Sequence, residues 1–350
     1  MNRLKTRVFK AGLNLMHATG AHAALSRVTQ GQGIIFTMHH VVEADDRVFS
    51  PNRLLTVTPE FLEAVVTRIR YAGLDIVSLD EARERLLTGD DRRFAVLTFD
   101  DGYQDNYTAA YPILKRMNAP FCVYVTTGLP DGTACLWWLA LEEIVRRSST
   151  VDVQLGDEHF VASCASDEEK NAAYEKIYWW LRSVGEFEQR DFIKLAADKT
   201  GIDLVALCQS LSMTWDEVRA LHADPLVTIG AHTVEHYAVG KVSEGQARSE
   251  MVDGRNRLAE QLGDIPCHFS YPYGDSGSAA TRDFELAEEL GFATAVTTRP
   301  GVLFGEHAEH LHALPRVSLN GEYQDLKYLD LYLTGAPFGL FNRFRRLNVA

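Results

Sequence analysis

The stretch "VLTFDDGYQDN", residues 96–106, sets Asp100 and Asp101 side by side where an apolar, strand-forming run ends. Such a pair serves either as a helix N-cap with a first-turn acid or as paired carboxylates at the mouth of a site. Far downstream, "IGAHTVEHYAV" carries His232 and His236 four residues apart after another strand-like run. On a helix that spacing points both imidazoles the same way, as metal ligation requires. "TMHHVV" puts His39 and His40 at the end of a third run, where strand alternation admits at most one of them to a shared pocket. "FSYPYGD" closes a fourth run in a turn stiffened by Pro272, with Tyr273 and Gly274 as a candidate source of a main-chain donor to an oxyanion.

Each string alone has an ordinary structural reading. Together they give four strand ends carrying a histidine, an acid pair, a two-histidine set and a rigid turn. One aspartate with two histidines is a facial ligand set that leaves positions for water and substrate. The second aspartate is then free to act as a general base.

The elements that must position these groups alternate between strand and helix. "GIIFTMHHVV" precedes a helical pattern over 58–73, "RFAVLTFDD" precedes "YTAAYPILKRMN", and "PLVTIGAHT" precedes the long helical run "SEGQARSEMVDGRNRLAEQLG". This rhythm predicts an α/β fold, a distorted (β/α) barrel of about seven parallel strands with its chemistry at the strands' C-terminal ends. Residues 128–213 break the rhythm and read as a mostly helical insertion. The expected division is an amphipathic N-terminal segment (1–32), the barrel (33–320) interrupted by that insertion, and an amphipathic tail (321–350). Tryptophans 137, 138, 179 and 180 in the insertion offer stacking faces for sugar rings, although paired helical aromatics more often build a core.

The chain has 350 residues and a formal charge of −13, which argues against nucleic acid as a partner. Its five cysteines are scattered without CxxC spacing, as expected of reduced thiols, and neither an export signal nor a membrane-spanning run is legible. A cytoplasmic location is therefore expected. The basic, aromatic ends would suit peripheral contact with an anionic membrane at its inner face.

"TFDDG", "HTxxH" and the "YPYG" turn together resemble the polysaccharide deacetylase, or NodB-homology, family of carbohydrate esterases, over roughly residues 33–127 and 214–320. The resemblance implies Asp100 as general base, Asp101, His232 and His236 as ligands to a divalent metal, and the Tyr273 N–H as an oxyanion donor. Zinc is the expected ion, with cobalt, manganese and nickel as alternatives. The family's turn usually begins with an arginine that braces the catalytic aspartate, whereas Ser270 stands here, leaving Arg316 of "LPRVSL" as the candidate brace. "IIFTMHH" resembles the opening strand of the circularly permuted poly-N-acetylglucosamine deacetylase branch. That implies His39 as general acid, with His310 in reserve. The implied activity is hydrolytic removal of N-acetyl groups from an amino-sugar glycan, or from a lipid- or nucleotide-linked sugar. An amidohydrolase or deformylase acting on a small amide, and a catalytically silent glycan-binding protein, are the alternatives.

Overall fold

The computed structural model describes residues 3–349. Seven parallel strands close into a barrel: β1 (Gly33–Met38), β2 (Phe94–Phe99), β3 (Phe121–Val125), β4 (Val227–Ala231), β5 (His268–Ser270), β6 (Thr294–Pro300) and β7 (Leu314–Ser318). Strand β1 closes the ring by pairing with β2 along its whole length, from Gly33 opposite Phe94 to Met38 opposite Phe99, and with β7 at Phe36 and Thr37. A two-residue strand, Asp75–Ile76, lies against β2 outside the ring. Strands β1, β2 and β3 are buried at every position. That is why "GIIFTM", "FAVLTF" and "FCVYV" are unbroken apolar runs with buried threonines rather than alternating patterns: a parallel barrel has no solvent face.

Helices wrap the ring where the sequence supplies caps. Thr58 accepts from the Phe61 N–H to start Pro59–Tyr71, Ser78 caps Leu79–Thr88, and Ser243 caps the long helix Glu244–Leu262. The first of these turns Leu62, Val65, Val66 and Ile69 into the main core. Each such side chain contributes about 1.5–3 kcal/mol by leaving water.

Between β3 and β4 the chain builds a second apolar cluster of its own. Helices Trp137–Arg147, Asp167–Ser183 and Glu186–Thr200 pack with an antiparallel hairpin, Thr150–Leu155 with Glu158–Ser163. The hairpin supplies the strand character of "VDVQLGDEHF". Trp137 and Trp138 are buried, and Trp180 packs against Phe160 and Phe192, while Trp179 is exposed.

At the ends of the chain, helices Arg3–Ala18 and Ala21–Thr29 lie with Leu326–Leu333 and Ala336–Phe341. Among the described residues no helix is long and apolar enough to cross a membrane.

Candidate active site

The C-terminal ends of β1, β2, β4 and β5 deliver, in turn, His39, Asp100–Asp101, His232 and the Tyr271–Gly274 turn. Asp100, Asp101, His232 and His236 are all buried. The Asp101 Oδ1 atom lies 3.3 Å from His232 Nε2 and 3.1 Å from His236 Nε2.

The two histidines do not share a helix. Strand β4 stops at Ala231, and Thr233 and His236 both take left-handed backbone conformations, φ 66° and 57°, which fold the loop so that the rings converge. The helical reading of this spacing is thus replaced by a strained loop, and three outside contacts hold it. The Glu250 carboxylate accepts from the N–H groups of Val234 and Glu235 at 3.0 and 2.9 Å. Arg190, from the segment between β3 and β4, donates to the carbonyls of Glu235 and His236. Gly254 lets the long helix come so close that a Cβ there would lie 2.9 Å from the Thr233 carbonyl carbon.

Asp101 (φ 75°) and Tyr273 (φ 61°) share that conformation, so four non-glycine residues of one site are strained. Side chains other than glycine pay about 1–3 kcal/mol for such geometry, which persists only where the surroundings enforce it.

Ring tautomers settle what the triad can hold. His232 Nδ1 lies 2.7 Å from the Ser270 carbonyl, a pure acceptor, so Nδ1 carries a proton and, in the neutral ring, Nε2 is the nitrogen whose lone pair points to Asp101. Burial pushes His236 down to about 4, against the pull of Asp101, so this ring is neutral at pH 7. Asp101 Oδ1 is buried and has no hydrogen-bond donor. An anionic oxygen facing an imidazole lone pair is the arrangement a cation resolves. The three ligand atoms lie within 4.8 Å of one another, and their N and O donors suit a first-row divalent ion.

Asp100 has a partner of its own. Arg316 of β7 donates to both of its oxygens, Nη1 to Oδ1 at 2.7 Å and Nη2 to Oδ2 at 2.6 Å. The guanidinium is itself saturated: Nε donates to the Thr297 carbonyl, Nη1 to Thr98 Oγ1 and Nη2 to Ser270 Oγ. Burial works to raise Asp100, and Arg316 together with the nearby His232 and His39 outweighs it, so the carboxyl stays below its ordinary range. Ser270, standing where the related turn has an arginine, therefore becomes an acceptor for an arginine that arrives from another strand.

His39 sits within electrostatic reach of Asp101, Asp100 and Arg316, and burial pushes its imidazole downward. Its neighbour His40 is turned aside. His40 Nδ1 lies 2.6 Å from Asp105 Oδ2, and its ring stacks on Tyr103. His310 is remote from the site: it lies in the return loop next to Leu311, whose carbonyl accepts from Ala295 near the start of β6.

The turn at Tyr273 closes the site. Among the described residues no acceptor takes the Tyr273 N–H. Gly274 follows with φ 62°, and a Cβ on it would lie 2.6 Å from the Thr298 nitrogen. The Tyr273 hydroxyl accepts from Trp137 Nε1 at 2.6 Å, and the ring of His236 lies between Trp138 and Tyr273. Trp138 Nε1 in turn donates to the Tyr103 hydroxyl at 3.2 Å. Sequence reasoning missed this aromatic buttress and the Arg190 clamp. The signal for Trp137 and Trp138 was their pairing at the start of a strongly amphipathic helix, whereas nothing local marks Tyr103 or Arg190.

The sequence model of the polysaccharide deacetylase family matches residues 88–185 and 193–295, which include the acid pair, both histidines and the turn. The chain belongs to the polysaccharide deacetylase family. Among curated proteins it is 23% identical over 295 residues to the poly-β-1,6-N-acetyl-D-glucosamine N-deacetylase of Escherichia coli K12, spanning 81% of this chain and 36% of that one. The chain thus covers about a third of that relative's length. Two solved structures share the deacetylase fold. The Streptococcus pyogenes deacetylase PplD, in complex with acetate, is similar at a TM-score of 0.55 and 18% identity, covering 86% of this chain and 97% of PplD. IcaB from Ammonifex degensii is similar at 0.53 and 17%, covering 87% and 97%.

Proposed function

We propose that the protein is a metal-dependent N-deacetylase that hydrolyses N-acetyl groups of an amino-sugar glycan. The observation that carries this reading is the donorless Asp101 Oδ1 facing the His232 and His236 Nε2 atoms, with an arginine-clamped carboxylate as its immediate chain neighbour. Asp101, His232 and His236 would hold the ion, with zinc the expected one. When bound, such an ion supplies Lewis-acid chemistry, acidifying a water and polarising a carbonyl.

The chain's own residues do the rest. Asp100 accepts the water's proton at a carboxylate oxygen, and Arg316 fixes that carboxylate in place and keeps it ionised until then. The Tyr273 N–H, presented by a backbone that Gly274 and Thr298 lock in place, donates to the oxygen on which negative charge grows. His39 carries a proton to the departing nitrogen, so acetate and a free amine leave. The Arg316 clamp and the converging triad favour catalysis over silent glycan binding. The name of the E. coli relative favours an N-acetylglucosamine polymer over a small non-glycan amide, a formyl group, or a lipid- or nucleotide-linked sugar.

The deciding experiment is acetate release from N-acetylated oligosaccharides by protein reconstituted with zinc, cobalt, manganese or nickel. Lack of acetate with every ion and every chain length would refute the reading, as would undiminished release by Asp100→Asn.

A further inference from the structure

The helix Arg3–Ala18 has a sheltered face and an exposed apolar stripe. Thr6, Lys10, Leu13 and Met16 form the sheltered stripe, with Leu13 buried in the main core and Met16 packed against it. Val8, Ala11, Gly12 and Leu15, at the spacing i, i+3, i+4, i+7, form a second stripe that is exposed, with Val8 and Leu15 each 65% accessible. The fold uses one face and leaves the other in water.

The second N-terminal helix and the C-terminal segment carry exposed apolar groups of their own. Val28 lines a shallow groove together with Phe344, Arg345 and Arg346, so the second N-terminal helix and the C-terminal segment meet on one face. Leu340, Phe341 and Phe344 stand out from it. Arg343 and Phe344 both have positive φ, 53° and 59°, a costly backbone for two successive side chains.

Charge separates this region from the rest of the molecule. The chain carries no Asp or Glu before Glu43 and none after Asp330, yet its net charge is −13. Lys10 and Arg346 are tied to Glu322 and Glu306, while Arg7, Arg27, Arg343 and Arg345 are further cations of the same two acid-free segments. A second copy of so acidic a chain gains little by burying this surface against an identical cationic one. Exposed aliphatic and aromatic groups interleaved with arginines match an anionic lipid surface, where apolar groups enter the acyl boundary and cations meet headgroups.

We propose that the N-terminal helices and the C-terminal segment form a docking surface for an anionic membrane. Gln30 to Gly33 connect this surface to the start of β1, whereas His39 follows the end of the same strand, about 20 Å away at a strand's rise per residue. The second helix and the C-terminal segment therefore lie away from the catalytic mouth, whereas Arg3–Ala18 runs toward it, with Lys10 paired to Glu322 and Phe9 against Tyr323 just past the end of β7.

The test is cosedimentation of the full-length chain with phosphatidylcholine vesicles that contain or lack about one-third phosphatidylglycerol. Binding is expected only to the anionic vesicles and is expected to weaken steeply between low and 0.5 M salt, roughly as the Debye length shrinks. Arg343→Glu with Arg345→Glu, and separately Val8→Asp with Leu15→Asp, each weaken it by about tenfold or more. All of these side chains are exposed, so the variants keep the far-ultraviolet circular dichroism and melting temperature of the parent. A protein that stays in the supernatant with anionic vesicles at low salt overturns the proposal, as does undiminished binding by both variants. A dimer in solution that the Val8/Leu15 variant dissociates assigns the surface to a second copy and overturns it too.

Discussion

Arg316 on β7 grips both oxygens of Asp100 at the end of β2, at 2.7 and 2.6 Å, through a side chain that is 1% exposed. The brace reaches the carboxylate from β7, on the far side of β1 from β2, and Ser270 on β5 accepts from the same guanidinium. Three strands thus fix one carboxylate.

Replacing Arg316 by alanine strands that carboxylate in a buried site. The expected cost is about 3 kcal/mol or more of stability, together with a fall in kcat larger than any rise in KM. Arg316→Lys keeps the charge but loses the two-pronged geometry and should recover only part of either quantity. Denaturant titration and steady-state acetate release measure both.

Metal content and turnover should separate at the acid pair. Asp100→Asn is expected to retain the ion, measured by elemental analysis, while losing roughly 10²–10⁴-fold in rate. Asp101→Asn or His236→Ala should lose the ion itself. Treatment with a chelator should silence the parent protein, and re-addition of a divalent ion should restore it.

The Tyr273 turn has its own signature. Gly274→Ala would set a Cβ 2.6 Å from the Thr298 nitrogen at a residue with φ 62°. The expected penalty is about 1–3 kcal/mol in stability, with kcat lowered because the Tyr273 N–H moves. Thermal melts and kinetics on the same preparation check it.

A second cluster, outside the site, predicts a pH dependence. His268 at the start of β5 is buried, with Nε2 3.2 Å from Asp80 Oδ1 and Nδ1 2.8 Å from Thr294 Oγ1. Burial works to lower its pKa, but Asp80 and Cys267 overcome that and push it up to about 9. A raised histidine contributes stability that is fully present below its unfolded value of about 6.5 and is lost as pH rises through about 9. A melting-temperature profile over that window should fall in the parent and flatten in His268→Gln, with a difference on the order of 2 kcal/mol because Asp80 is exposed.

The barrel was legible because parallel strands buried on both faces write themselves as unbroken apolar runs, and the caps Thr58, Ser78 and Ser243 mark where the helices begin. Four strand-end motifs were legible for the same reason. The path by which His232 and His236 meet was not, since left-handed conformations at Thr233 and His236 are enforced by Glu250, Arg190 and Gly254, all distant in sequence. Arg316 carried a signal that is easily underweighted: one arginine inside a short apolar strand must find a buried anion. Nothing near Tyr103 foretold that it would stack on His40 and take a hydrogen bond from Trp138, because the first contact needs β1 and β2 paired and the second needs the region between β3 and β4 packed on the barrel mouth.

The left-handed residues at the barrel mouth also mark where attempts to harden the protein would backfire. Thr233→Gly would relieve torsional cost, but it would also remove the buried Oγ1 that accepts from the His236 N–H at 3.0 Å and free the loop that aims His236. An engineer seeking a hardier catalyst should accordingly leave that loop alone and strengthen the outer helices instead.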